Sequence, residues 1–330
     1  MPAFVSPMLA TLVAAPFDDP EWLFEIKWDG FRVEAIVDDG DVRLWTRGQQ
    51  DAAKYFGTFL APPDWIKARQ AIVDGEVIAL DDAGEPDFVR LQERIRGRGS
   101  PGGSVNPFVY QVFDLLYLDG RSLLSEPLEE RRRLLKQALR TDPRVRLSED
   151  IAGDGVAFFE AARVRGLEGI MAKDRRSTYL PGKRSMAWQK VKIRPEQELV
   201  VGGWTRGVGA AAELGALLVG VYENGGLRYA GKVGAGFTGN WRSELLAVIP
   251  ELAADGSPFA VPPPRAASKN AMWLRPELVI RAEFAGWTGD GLVRQAAYKG
   301  LDLGKDPRAV RREAPVAAAG AGPTRNRATP

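Results

Sequence analysis

The residue pattern changes at Val191–Pro195, and that break limits the fold more than any other feature of the chain. Ahead of it, apolar strand-like runs alternate with helical stretches. The runs are Trp22–Trp28, Phe31–Val37, Val42–Thr46, Ala71–Leu80, Phe108–Leu118 and Gly169–Lys173. Asp29-Gly30 and Asp39-Gly40 stand between neighbouring runs as turn dipeptides, which predicts antiparallel meanders. Helical spacing covers Asp87–Arg96, Glu126–Leu139 and Gly155–Val164. Ser125 is the expected N-cap of the second helix, with Pro127 in its first turn. Behind the break come short strands with glycine-rich turns: Leu199–Trp204, Ala216–Tyr222, Leu227–Val233 and Leu278–Trp287. Such a series predicts a small barrel. The Ala/Gly/Pro-rich end reads as a disordered tail. The expectation is an α+β domain over 1–193, a β-barrel domain over 194–312 and a tail over 313–330.

The chain has 330 residues, enough for two domains and for a core that needs no covalent staples. It holds no Cys and no His. Those absences exclude Cys/His zinc sites, a cysteine nucleophile and any histidine-based triad, and they fit a reducing, cytoplasmic setting. Chemistry is left to Lys, Arg, Asp, Glu, Ser, Thr or Tyr, with an oxygen-bound metal at most. The formal charge of +2 is too small to point to nucleic acid by itself. Met1–Phe17 lacks a basic leader and is broken by Pro2, Pro7 and Pro16, so it does not read as a signal peptide. No apolar run reaches the roughly 18 residues of a membrane span. There is no Gly-x4-Gly-Lys-Ser/Thr phosphate loop.

Lys27 stands in the apolar run Glu25-Ile26-Lys27-Trp28-Asp29-Gly30-Phe31-Arg32, just before a tight turn. Alone, a strand-edge lysine points to water and does no chemistry. Its amine is neutral in roughly one molecule in a few thousand at pH 7. Arg32 lies across the predicted turn, and a cation beside Lys27 would favour the neutral amine that a nucleophile needs. Asp74-Gly75-Glu76 sets two carboxylates in an apolar strand, which is costly unless they meet a cation or a polar ligand. Phe113 reads either as core or as a stacking face for a base. Glu168-Gly169 opens a short apolar strand that ends in Lys173. That is a place for a metal-bound carboxylate near a phosphate, or a plain surface turn. Lys190 and Lys192, at i and i+2, share one strand face with Trp188. Aligned cations repel unless an anion lies between them, and phosphate suits that role. A solvated edge strand is the bland alternative.

Taken in order, Lys27-x-Asp29-Gly30-x-Arg32, Thr46-Arg47-Gly48, Asp74-Gly75-Glu76, Val112-Phe113-Asp114, Glu168-Gly169-Ile170-Met171 and Lys190-x-Lys192 form a ladder. It resembles the motif series of the covalent nucleotidyltransferases, and within them the ATP-dependent DNA ligases. The flank Phe4-Val5-Ser6-Pro7-Met8-Leu9-Ala10 is most similar to the ligase module of the bacterial end-joining ligase D. The resemblance covers residues 4–311. It implies a nucleotidyltransferase domain followed by an OB-fold domain. It also implies ATP and Mg2+ or Mn2+ as cofactors, and three steps. Lysine attacks the α-phosphorus of ATP and expels pyrophosphate. AMP passes to a 5′-phosphate at a DNA nick. The 3′-hydroxyl then displaces AMP. On this resemblance Lys27 is the nucleophile. Glu25 and the Ile26 backbone lie by the adenine edge, and Phe113 stacks on the base. Arg32 and Glu76 meet the ribose side, and Arg47 faces nucleotide or DNA phosphate. Arg184 is a further nucleotide contact, and Lys190 and Lys192 grip the α-phosphate. Glu168, with Glu76, holds the metal.

One departure stands out. The family's last motif usually follows an aromatic-Lys-Gly-Leu segment with Arg-x-Asp-Lys and orients the leaving pyrophosphate. Here Tyr298-Lys299-Gly300-Leu301 leads into Asp302-Leu303-Gly304-Lys305. An acid at 302 would repel pyrophosphate, which predicts slow self-adenylation unless Lys299, Arg294 or Arg308 substitutes. RNA ligases and capping enzymes share the ladder, so they are the alternative within the enzyme class. A non-catalytic nucleic-acid-binding scaffold with an impaired first step is the alternative outside it. With only 26 residues ahead of Lys27, a minimal two-domain monomer is expected. It would act on nicked or broken double-stranded DNA, by barrel closure or with a partner, and by resemblance Ku and an end-joining polymerase.

Overall fold

The computed structural model describes residues 1–57, 59–82, 84–95, 108–207, 213–237, 240–316 and 318. It divides into one unit of Met1–Ile193 with the returning segment from Ala314, and a second of Arg194–Glu313. Among the described residues no helix is long and apolar enough to cross a membrane.

Two sheets build the first unit. One has the order Leu9–Leu12, Arg184–Lys192, Gly169–Asp174, Asp19–Ile26, Asp150–Gly153. Its strands are antiparallel except that Leu9–Leu12 runs parallel to its neighbour. The other has the order Asp41–Thr46, Phe31–Asp38, Gln70–Ile78, Val109–Leu118, Arg121–Ser122, with Val145–Leu147 added in parallel to Val109–Leu118.

Alternation gives the first sheet two distinct faces. Phe24, Ile170, Ala172 and Val191 pack on one side with Ala162 of the Gly155–Val164 helix. The opposite face carries Glu25, Met171, Lys173, Trp188, Lys190 and Lys192, and is turned to the second sheet. Between the sheets lies a core of Ile36, Ile72, Phe113, Leu116, Tyr117, Tyr179 and Trp188. At about 1.5–3 kcal/mol per buried large side chain, this shared core holds the two sheets together.

Asp39-Gly40 is a hairpin turn, with Val37 opposite Val42. Asp29-Gly30 is not, which corrects the expected meander. Asp19–Ile26 and Phe31–Asp38 belong to different sheets, and the dipeptide carries the chain across. Glycine is required there because a Cβ on Gly30 would meet the Val77 carbonyl oxygen at 2.3 Å. The second helix begins at Leu128 with Pro127 at its N-cap position and no side-chain cap, so Ser125 does not cap it. The expected end of the first helix at Arg96 lies outside the described residues, and its described part is Phe88–Ile95.

The second unit is a closed barrel. Glu196–Thr205, Ala216–Glu223, Gly226–Ala235, Ala296–Leu301 and Met272–Glu283 follow one another, and the last pairs back onto the first. Closure removes the free edges, and the interior fills with residues such as Leu199, Val201, Leu217, Val219, Val233 and Ile280. The barrel's strand order is that of an OB-fold, and the chain as a whole is α+β.

The expected tail needs a correction at its start. Ala14 donates to the Val316 carbonyl and Val316 donates to Leu12, both at 3.0 Å. Backbone pairing with a partner 300 residues away in sequence is invisible to composition, which is why the segment read as tail.

Candidate active site

Lys27 extends the Asp19–Ile26 strand by donating its backbone N–H to the Gly169 carbonyl at 3.0 Å. Gly169 is in register with Lys192. The two lysines therefore flank a glycine in one cross-strand row. A Cβ on Gly169 would meet the Val191 carbonyl oxygen at 2.2 Å, so close backbone packing demands glycine and no side chain stands between the two lysines. Glu168, next in the chain, spans the two. Its carboxylate lies 2.5 Å from Lys27 Nζ and 3.9 Å from Lys192 Nζ. In the next row Lys190 is in register with Met171, and Met171 with Glu25.

The second sheet faces this row with Arg32 and Glu76, which are in register with each other. Arg32 does not sit beside Lys27 across a hairpin, and this changes its expected role. Asp74 takes it in a bidentate pair, Nε to Oδ1 at 3.0 Å and Nη2 to Oδ2 at 2.6 Å. Its Nη1 donates to the Met8 carbonyl at 2.7 Å. Burial opposes the Arg32 charge, but the Asp74 carboxylate more than offsets this and holds its pKa above the ordinary value. Lys27 meets an acid instead of a cation, and such a partner favours the ammonium form. Glu76 is pushed up to about 8 by burial, with Glu168 and Asp29 adding to the effect and Lys27 and Arg32 opposing it.

Glu25 is 3% exposed. Its carboxylate pairs with Lys173, accepts from Arg132 Nη1 at 3.2 Å and accepts from Ser148 Oγ at 3.3 Å. Trp28 Nε1 donates to the same Ser148 hydroxyl at 2.9 Å. Ile26 pairs with Ile170 through its main chain, and its side chain falls on the other face of the sheet. Phe113 is buried at 8% exposure, edge-on to Trp188. Arg32 lies 5.4 Å and Lys173 4.3 Å from its ring centre. Its position is that of a core residue between the two sheets, beneath the face that carries Lys27 and Glu25.

Two expected contacts lie outside the row itself. Arg184 opens the strand that carries Lys190 and Lys192, and it donates to the Ala10 carbonyl. That strand is irregular between Ser185 and Gln189, so Arg184 lies opposite Leu9 and Lys190 opposite Leu12. Arg47 is exposed in the turn after Thr46, whose register partner is Val33. It therefore lies at the Arg32 end of the second sheet.

Several supporting residues escaped the sequence reading. Arg131 and Asp114 form a fully buried bidentate pair at 2.7 and 2.8 Å. Arg132 donates to the Phe113 and Ser148 carbonyls as well as to Glu25. Tyr179 donates to Asp74 at 2.7 Å and accepts from the Met8 N–H at 3.0 Å. A signal for the arginines was present. In the Leu128–Ala138 helix, Arg131 and Arg132 occupy the i+3 and i+4 positions of the stripe set by Leu128 and Leu135, where apolar residues belong.

No group of three or more metal-binding acids occurs among the described residues. A divalent cation here would use Glu168 and Glu76 together with phosphate oxygens and water. That matches the way Mg2+ is usually held, by one or two carboxylates and a phosphate.

Residues 7–192 match the family model described as ATP dependent DNA ligase domain, and residues 210–303 match ATP dependent DNA ligase C terminal region. The multifunctional non-homologous end joining DNA repair protein LigD of Mycobacterium tuberculosis is 37% identical over 94% of the chain. The multifunctional non-homologous end joining protein LigD of Pseudomonas aeruginosa is 36% identical over 96%. The chain spans only 40% and 37% of these relatives. A solved structure of mycobacterial DNA ligase D complexed with ATP and MES superposes with a TM-score of 0.65 at 36% identity. That match covers 94% of this chain and 98% of the other.

Proposed function

Because the chain belongs to the ATP-dependent DNA ligases, we propose that it seals 5′-phosphate/3′-hydroxyl nicks in double-stranded DNA, with Lys27 as the residue that carries AMP. The observation that carries this reading is the row Lys27–Gly169–Lys192. Two lysines flank a glycine with no side chain between them, with Lys190 on the same face and Glu168 across them.

An α-phosphate seated at that glycine would meet Lys192 and Lys190 as anion partners and Lys27 as attacking group. The Lys27 nitrogen must shed a proton and leave Glu168 before its lone pair can bond to phosphorus. Arg32, fixed by Asp74, Met8 and Tyr179, can meet the ribose without reorganising. Glu76 joins it on that side. Glu25 and the Ile26 main chain serve the base edge, and Phe113 the base face. Arg47 meets phosphate from the outer turn. A divalent cation, Mg2+ or Mn2+, would sit at Glu168 and Glu76 and offset phosphate charge.

The substrate reading is nicked or broken DNA in repair, and the relatives' names carry the words end joining. Ku and an end-joining polymerase are the corresponding proposed partners, and a monomer in the cytoplasm the proposed working form.

The test uses ATP labelled at the α-phosphate. Wild type should retain a covalent label and Lys27→Ala none. Undiminished label on Lys27→Ala would sink the reading. Acceptor choice is tested beside it. Sealing of nicked DNA over nicked RNA or a 5′-diphosphate RNA end supports the ligase assignment, and the reverse order favours an RNA ligase or capping enzyme.

A further inference from the structure

Lys173 is a buried cation that none of the proposed steps uses. It lies on the cleft face of the Gly169–Asp174 strand at 2% exposure, paired with Glu25. Its ammonium also stands 4.3 Å from the ring centres of both Phe113 and Trp188. A lysine in such a place is unfavourable unless its charge is compensated. Here one carboxylate and two aromatic faces offset part of the cost, and burial still holds the Lys173 pKa below the ordinary lysine value. The other end of the pair is equally constrained. Glu25 Oε1 meets Lys173, while Oε2 accepts from Arg132 and Ser148. An ionised carboxylate offers about four lone-pair directions. Three donors occupy most of that capacity and leave roughly one direction for an incoming group. Glu25 shares its strand face with Lys27, two residues on.

We propose that Lys173 is a positioning residue for base selection: it pins the Glu25 carboxylate in place as a hydrogen-bond acceptor, so the bound base must present an N–H to it. Adenine presents its amino group at C6, whereas guanine presents a carbonyl oxygen. A carboxylate pinned opposite that oxygen repels it. Contact with the Phe113 ring extends the constraint to the second sheet, so the acceptor and the ring beneath the base keep a fixed spacing. This inference rests on reading the cleft as an ATP site.

The experiment measures kcat and KM for covalent labelling of the full chain by α-labelled ATP and by α-labelled GTP. Lys173→Met keeps the side-chain length and removes the charge. In the folded variant the ATP-to-GTP ratio of kcat/KM should fall by about fivefold or more, chiefly through a higher KM for ATP. General damage to the fold lowers both nucleotides together and leaves the ratio alone, so a smaller fall overturns the proposal. If Lys173→Met does not fold, Ser148→Ala decides. It removes a neutral donor from the same carboxylate, and a fall of about twofold or more supports the proposal while a smaller one overturns it. A wild-type chain that takes no label from ATP would overturn the cleft reading itself, and this inference with it. Normal ATP labelling with unchanged selectivity in the variants overturns this inference alone.

Discussion

Glu168 in the first unit and Asp302 in the second both sit among cations, yet their surroundings differ in kind. Glu168 spans Lys27 and Lys192 across a glycine, with Lys190 on the same sheet face. Glu76 of the second sheet also interacts with Lys27 and Glu168 there. Asp302 instead accepts from the Gly304 N–H at 3.1 Å in a corner where the charges close on one another. Lys305 lies 3.6 Å from Glu198, and Arg281 donates to Glu196 at 2.8 Å. Burial and the nearby Glu198 push the Asp302 carboxyl up, against Arg281 and Lys305. The lesson is that a carboxylate among cations has no single meaning: in one unit it bridges two strands of a sheet, and in the other it is tucked into its own turn.

Neutralising each centre should separate the two most sharply. Glu168→Gln should slow lysyl-AMP formation by roughly 100- to 1,000-fold, the cost of losing one preorganised polar group at a reacting centre. A loss below about tenfold in a single-turnover labelling assay would erase the contrast.

A smaller effect concerns pH. Glu34 is buried and accepts the Val5 N–H at 2.9 and 3.1 Å. Burial first, then Asp74, raises its carboxyl from 4.5 to about 8. The folded state therefore binds the extra proton between those values. The stabilisation is complete below the unfolded pKa and is lost as pH rises towards about 8. Urea unfolding of Glu34→Gln should show a shallower decline over that window, by up to about 1.4 kcal/mol per pH unit. A decline as steep as in wild type would remove Glu34 as its source.

The smallest effect belongs to the barrel. Asp302→Arg restores the cation that the ligase motif carries there and should speed lysyl-AMP formation by about threefold. No gain in a folded variant would mean that Lys299, Arg294 or Arg308 already serves. Of these, Lys299 lies 3.5 Å from Glu283, and Arg294 and Arg308 are exposed.

Much of the fold was legible. Apolar runs located the strands Phe31–Asp38, Gln70–Ile78 and Val109–Leu118 to within a residue or two, because strands buried on both faces are apolar at most positions. Lys190 and Lys192 do share a face with Trp188, because side chains alternate along a strand. The Asp29-Gly30 crossing was not legible, because a turn dipeptide does not say which strand its flanks will pair with. The irregularity between Arg184 and Lys190 was not legible either, since motif spacing does not show where a strand leaves its register. Arg131 and Arg132 could be placed on the buried helix stripe from their spacing, but their partners could not, and the Tyr179 hydroxyl has no periodic signature at all.

The sequence by itself determined the two-unit organisation, the barrel, and the identity of a lysine nucleophile candidate with its acids and paired lysines. Those depend on local periodicity and on a series of short motifs. Only the tertiary structure decided which charges meet: Lys27 with Glu168, Arg32 with Asp74, Lys173 with Glu25. Each of those pairs joins residues from strands far apart in the chain. The energy of a buried charge depends on its neighbours in space, which sequence order does not fix.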